Sequence, residues 1–201
     1  MLRMLRTAAA TAVVVVVVGS AVAQPPAAPD LFPTKAGAKW TYKINEQDVT
    51  VTVSGPEKLG DKDCFKFTTA VSGAEKMTEL YYVTADGVYR AKVGDKKVEP
   101  AVRVLALPAK KDAVWEVDSK VGTEGLKGKF KITDEKAKIK VGGADVEAVL
   151  VEAVDFEVVQ TKLAIRQWFV PGKGVVKVEY TFDKNTATTM ELKEYTETPK
   201  K

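Results

Sequence analysis

Through most of the chain, apolar and polar residues alternate with a period of two. Val49, Val51 and Val53 are interleaved with Thr50 and Thr52, and Ala137, Ile139 and Val141 with Lys136, Lys138 and Lys140. Val176, Val178, Tyr180 and Phe182 likewise alternate with Val175, Lys177, Glu179 and Thr181. Successive side chains of a strand point to opposite faces, so these runs predict half-buried β-strands. Turn-forming clusters separate them: Asn45-Glu46-Gln47, Leu59-Gly60-Asp61-Lys62, Ala85-Asp86-Gly87, Val141-Gly142-Gly143 and Pro171-Gly172-Lys173-Gly174. After the N-terminal apolar run, no window carries a 3.6-residue apolar stripe. The pattern predicts an all-β domain of about ten to twelve strands in a strongly curved antiparallel sheet, a half-barrel or open barrel.

The pattern also recurs. Tyr81-Tyr82-Val83 through Gly87-Val88-Tyr89-Arg90 matches Trp168-Phe169-Val170 through Gly174-Val175-Val176-Lys177 at an offset of 87. Pro33 and Trp40 are spaced like Pro108 and Trp115, at an offset of 75, and the stretch from Gly60 to Phe65 pairs with that from Gly142 to Glu147, at 82. The matches keep their order while the offset grows. This predicts two pseudo-repeats, 31–98 and 106–195, sharing one core, since a half of that size buries too little surface to fold alone. Chance recurrence of common turn motifs is the alternative.

The ends depart from the pattern. Arg3 and Arg6 precede an apolar run from Ala8 to Val18, with valine at every position from Val13 to Val18, and Ala21-Val22-Ala23 follows. The run holds 11 residues, short of the ~20 that span a bilayer, so 1–23 is expected to be a helical signal peptide cleaved near Ala23. That predicts an exported protein, periplasmic or extracellular, whose mature form does not span the membrane. Residues 24–30 form a Pro/Ala spacer, 31–197 the single β domain, and 198–201 a tail.

Composition narrows the chemistry. The formal net charge is +4, and the signal peptide takes two of the arginines with it, so nucleic acid is not the expected partner. Cys64 is the sole cysteine, which rules out an intramolecular disulfide and leaves a semi-buried, inert thiol as the expectation. There is no histidine, which removes the commonest general base, the commonest metal ligand and every Ser-His or Cys-His pair. Nucleophile-elbow and phosphate-loop motifs are absent. Asp61 and Asp63 suggest a calcium loop, but Phe65 stands where a third oxygen ligand belongs, so a plain turn is expected. Glu152 interrupts the apolar series Val146, Ala148, Leu150, Val154, Phe156. It is either a buried acid or, more simply, a partner of Arg166 or a residue exposed at an edge or bulge. No catalytic residue, metal site or cofactor is expected.

Two features could bind. Lys127, Lys129, Lys131, Lys136, Lys138 and Lys140 would share the outer face of one hairpin turning at Thr133-Asp134-Glu135, offering an anion-binding stripe or a guard against edge-to-edge aggregation. The aromatics Trp40, Trp115, Trp168, Tyr82 and Phe156 are at strand spacing and are the candidates to line an apolar groove, packing in the core being the alternative.

Leu31-Phe32-Pro33 with Gly37, Trp40 and Tyr42, then Gly87-Val88-Tyr89, then Leu107-Pro108 with Trp115, and finally Trp168-Phe169 with Pro171, Gly172, Gly174, Val176 and Lys177 carry a family likeness. They resemble exported bacterial β proteins of the DUF3108/TapB-like kind, a group with no assigned reaction. Asp112 departs from the pattern, standing where a glycine is usual. A more distant, architectural likeness is to LolA/LolB-type lipoprotein carriers, whose half-barrel encloses a lipid cavity. Export, the missing histidine and the strand-spaced aromatics together lead to the expectation of an exported, non-enzymatic binding protein, with an apolar or lipid-like ligand or an envelope protein as partner. A structural or adaptor protein with a filled core is the alternative.

Overall fold

A single sheet of alternating strands can bury its apolar side chains by curving until one face is enclosed. The computed structural model describes residues 28–182 and 186–197. The predicted signal helix and the 198–201 tail lie outside them. Among the described residues a single helical turn, α1 (Ala28–Leu31), precedes twelve strands. They are β1 (Lys39–Ile44), β2 (Gln47–Leu59), β3 (Lys62–Val71), β4 (Ala74–Val83), β5 (Gly87–Val93), β6 (Lys96–Ala106), β7 (Val114–Val121), β8 (Glu124–Val141), β9 (Ala144–Val158), β10 (Thr161–Val170), β11 (Gly174–Phe182) and β12 (Thr186–Thr196). Each pairs antiparallel with its successor, and β1 also pairs with β12, from Lys39↔Thr196 to Ile44↔Met190.

The sheet is therefore a closed barrel. This corrects the expected half-barrel or open barrel, while the all-β, antiparallel expectation holds. Alternation sets which face turns inward, but closure joins the two strands farthest apart in sequence, a partnership that no local pattern encodes. Closure also removes the free edges that would otherwise invite pairing with another chain. The predicted hairpin at Thr133-Asp134-Glu135 is a second correction. β8 runs through these residues as one strand, and they form bulges opposite β9, with register shifts between Ile132 and Asp134 and between Asp134 and Ala137.

One end of the barrel is plugged. Leu31 is fully buried, and the Phe32 ring packs on Phe67 and Tyr81 at centroid distances of 5.1 and 5.2 Å. The Gly172 N–H donates to the Asp30 carbonyl at 2.6 Å, which ties the segment before β1 to the turn between β10 and β11. Gly174 has φ +73°, and a Cβ there would lie 2.9 Å from Pro33 Cδ, so glycine allows the plug to seat.

Packing inside is uneven. On the β7–β10 side Trp115 stacks on Phe130 (5.6 Å), which packs on Phe156 (5.1 Å), with Val117, Leu126, Ile132 and Ile165 buried around them. The opposite side is not filled.

Candidate ligand cavity

The unfilled space is a cavity of about 360 Å³, near the lower end of the ~300–1,000 Å³ typical of small-molecule sites. Its wall comes from β1–β6 and β10–β12. Trp40, Phe67, Phe32 and Phe169 line the plugged end, while Ile44, Val49, Met77 and Met190 lie toward the opposite end. Met77 is 39 % exposed there, so the apolar lining continues to the surface.

Within this wall stands one ion pair. Arg90 Nη1 lies 3.2 Å from Glu79 Oε1, and the side chains retain 28 % and 15 % of their accessible surface. Tyr81, Tyr180 and Tyr42 share the wall. The Tyr42 hydroxyl donates to the Val175 carbonyl at 2.8 Å. The Trp40 indole N–H donates to the Lys173 carbonyl at 2.6 Å, so both polar tips are satisfied and their apolar bodies face inward. Burial raises the Tyr42, Tyr81 and Tyr180 pKa values, and Glu79 raises that of Tyr81 further. Burial pulls the Arg90 pKa down, but Tyr81 and Glu79 push it up, and the net shift is upward, so the guanidinium is charged. The Arg90 Nε–H is buried without a hydrogen-bond partner.

Of the five aromatic candidates, the structure brings only Trp40 to this cavity. Trp115 and Phe156 belong to the packed side, and the Trp115 N–H donates to the Arg103 carbonyl at 2.7 Å. Tyr82 stacks on Tyr89 at 5.0 Å and lies beneath Lys62. Trp168 shares the outer face of β10 with Arg166, which sits 4.9 Å from its ring centroid, while Lys177 of β11 sits at 5.4 Å. Sequence reasoning missed Glu79, Tyr81, Arg90 and Tyr180. The available signal was Met77-x-Glu79-x-Tyr81, a carboxylate on an apolar face. A register shift between Leu80 and Tyr81 leaves Tyr81 paired with Arg90, which the spacing alone does not disclose.

Glu152 follows the simpler reading. It binds Arg166 Nε at 2.8 Å, and Arg166 also reaches Glu179 at 3.4 Å, in a network that continues through Lys177 to Glu191 at 3.1 Å. A bulge in β9 explains its exposure. Leu163 pairs with Phe156 but Ile165 with Ala153, and Asp155 has φ +56°. Val149, Val151 and Ala153 therefore share the inner face with Phe156, and Glu152 points outward.

The six lysines lie exposed along β8 rather than across a hairpin. Lys127 faces Asp118 (3.5 Å), Lys129 Glu116 (3.1 Å), Lys131 Asp112 (2.6 Å), Lys136 Glu147 (3.9 Å) and Lys140 Asp145 (2.8 Å). Lys138 pairs in register with Glu147. The face is a ladder of alternating sign. Asp61 and Asp63 sit within reach of Lys62 and Lys58, and among the described residues no cluster of three or more His, Cys, Asp or Glu could hold a metal.

No family model and no curated protein matches the chain. Two crystal structures share its fold. One is of a candidate lipoprotein from Parabacteroides distasonis, with 13 % identity and a TM-score of 0.53, covering 83 % of this chain and 98 % of that one. The other is of a candidate exported protein with a YmcC-like fold from Bacteroides fragilis, with 10 % identity and a TM-score of 0.55, at the same coverage of both chains. The likeness is thus to exported-type β proteins at the level of fold, and it singles out neither the DUF3108/TapB group nor the LolA/LolB carriers.

Proposed function

We propose that the chain is an exported, non-enzymatic binding protein that holds an apolar or lipid-like ligand in its barrel. The cavity carries this reading. A barrel of twelve strands is wider than side chains alone readily fill, and each contact missing from its apolar interior costs dispersion energy. Burial of ligand surface recovers that loss, at about 25 cal/mol per Å² of apolar area before ordering costs. Export is supported by the leader pattern and by the exported and lipoprotein descriptions of the fold neighbours. The absence of histidine and of any nucleophile motif supports a binding role over a catalytic one.

The two halves read as duplicated units. In the first, Gly37 N–H donates to the Val53 carbonyl, Val53 N–H to that of Ala38, and Ala38 N–H to that of Lys35. In the second, Asp112 donates to Ile132, Ile132 to Ala113, and Ala113 to Lys110 in the same sense. Lys35, Gly37 and Ala38 correspond to Lys110, Asp112 and Ala113 at the offset of the two tryptophans, and Val53 to Ile132 at a slightly larger one, which supports descent of the barrel from a six-stranded unit.

Native mass spectrometry of protein purified from its own envelope tests the binding reading directly, with a co-purifying lipid as the expected result. In solution, a fluorescent fatty-acid probe should bind the wild type. Val51→Trp, which fills the cavity wall, should abolish binding, and Trp168→Ala, outside the cavity, should leave it unchanged. Absence of both a lipid and probe binding would favour the structural or adaptor role.

A further inference from the structure

Given a ligand in the barrel, the cavity wall also specifies what kind of head it carries. A container for plain hydrocarbon gains nothing from a charge in its wall, because desolvating an ion pair costs more than an apolar pair of the same volume. Yet Arg90 and Glu79 stand among Phe67, Val104, Val178 and Met77. The pair is also unevenly matched. A guanidinium has five N–H donors, of which Nη1 meets Glu79 at 3.2 Å, while Nε–H meets nothing. Glu79 is the one carboxylate among the residues that line the cavity. The Arg90 donors are therefore only partly met at this place, and the Tyr180 hydroxyl lines the same cavity. What such a site lacks is an oxygen-rich anion.

We infer that Arg90 is the head-group receptor of the cavity, that the ligand is a single-chain amphiphile with a carboxylate head, and that Glu79 is an internal competitor occupying Arg90 when no ligand is bound. The cavity volume fits a small head and one chain better than a phospholipid. The apolar residues on both sides of the pair receive the chain, and Arg90 with Tyr180 receives the carboxylate through charge-assisted hydrogen bonds. This rests on the binding function proposed above but can fail without it.

The test compares a long-chain fatty acid with the alcohol of the same chain length by calorimetry at neutral pH. The wild type should bind the acid about ten- to a hundredfold more tightly, the range expected of hydrogen bonds to a charged group. Glu79→Gln should increase acid affinity and widen the preference for acid over alcohol, since it removes both the competing acceptor and a negative charge. The double variant Glu79→Gln/Arg90→Gln, which avoids a lone buried charge, should bind acid and alcohol alike. Because a purely structural ion pair would weaken both ligands together on mutation, the opposite signs of the two variants are the deciding readout. Equal wild-type affinities for acid and alcohol would overturn the head-group assignment and leave the carrier intact. Failure to bind either would overturn both. The wild-type comparison stands even if the variants do not fold.

Discussion

Gly128 lies opposite Val117 on β8, and a Cβ there would sit 2.5 Å from Phe156 Cδ2 and 3.1 Å from its Cα. The aromatic packing of Trp115, Phe130 and Phe156 thus depends on a missing methyl group. Gly128→Ala should cost about 1–3 kcal/mol through overpacking, whereas Gly55→Ala, with nothing within 4 Å, should be near neutral; denaturant midpoints compare them. Asp112 has φ +66° at the place where the first half has Gly37 at +87°. The unusual residue noted in the sequence therefore occupies a left-handed turn, and Lys131 holds its carboxylate at 2.6 Å. Cys64 is more buried than expected, at 0 % exposure, and burial followed by Glu57 and Asp63 raises its thiol pKa. It should resist maleimide in the folded protein at neutral pH and react fully in denaturant; rapid native labelling would show that the pocket around it opens.

Among the strand pairs, β6 with β7 is the thinnest. Only Val98↔Val121 and Glu99↔Lys120 are in register before Pro100, which has no N–H to give, and beyond it the strands part. Side chains bridge the gap: Ser119 Oγ donates to the Pro100 carbonyl at 2.6 Å and Trp115 Nε1 to that of Arg103. By contrast β8 and β9 pair nearly along their full lengths. Native-state hydrogen exchange should therefore show the β6 and β7 amides opening first and those of β8 and β9 last, since local stability follows the density of ladder bonds and contacts. Uniform protection around the barrel would contradict this. At this scale the sequence was legible wherever alternation ran unbroken, as in Trp115-Glu116-Val117-Asp118-Ser119, where buried and exposed residues alternate without a fault. It misled at bulges. A single extra residue near Asp155 moved Phe156 to the inner face while Glu152 stayed outside, and the turn-like Thr133-Asp134-Glu135 became a bulge within a strand.

For the whole molecule, the buried tyrosines give a titration with a defined sign. Tyr42, Tyr81 and Tyr180 have raised pKa values in the folded state, so the stability they confer is fully present below the ordinary tyrosine pKa of about 10 and is lost as the pH climbs above it. Tyrosinate absorbance should rise for the more accessible Tyr82, Tyr89 and Tyr195 first, with the remainder of the six tyrosines ionising only as near-UV circular dichroism collapses. Smooth ionisation of all six with the fold intact would show that the barrel interior is freely wetted. The sequence by itself determined that the chain is all-β and antiparallel, with most of its turns at glycine-containing clusters, because backbone alternation and left-handed turn residues act within a few positions of one another. Closure, the seam between β6 and β7, and the meeting of Glu79 and Arg90 in an unfilled interior were decided only by tertiary structure. They depend on which strands become neighbours and on single-residue register shifts, and no short-range pattern in the chain records either.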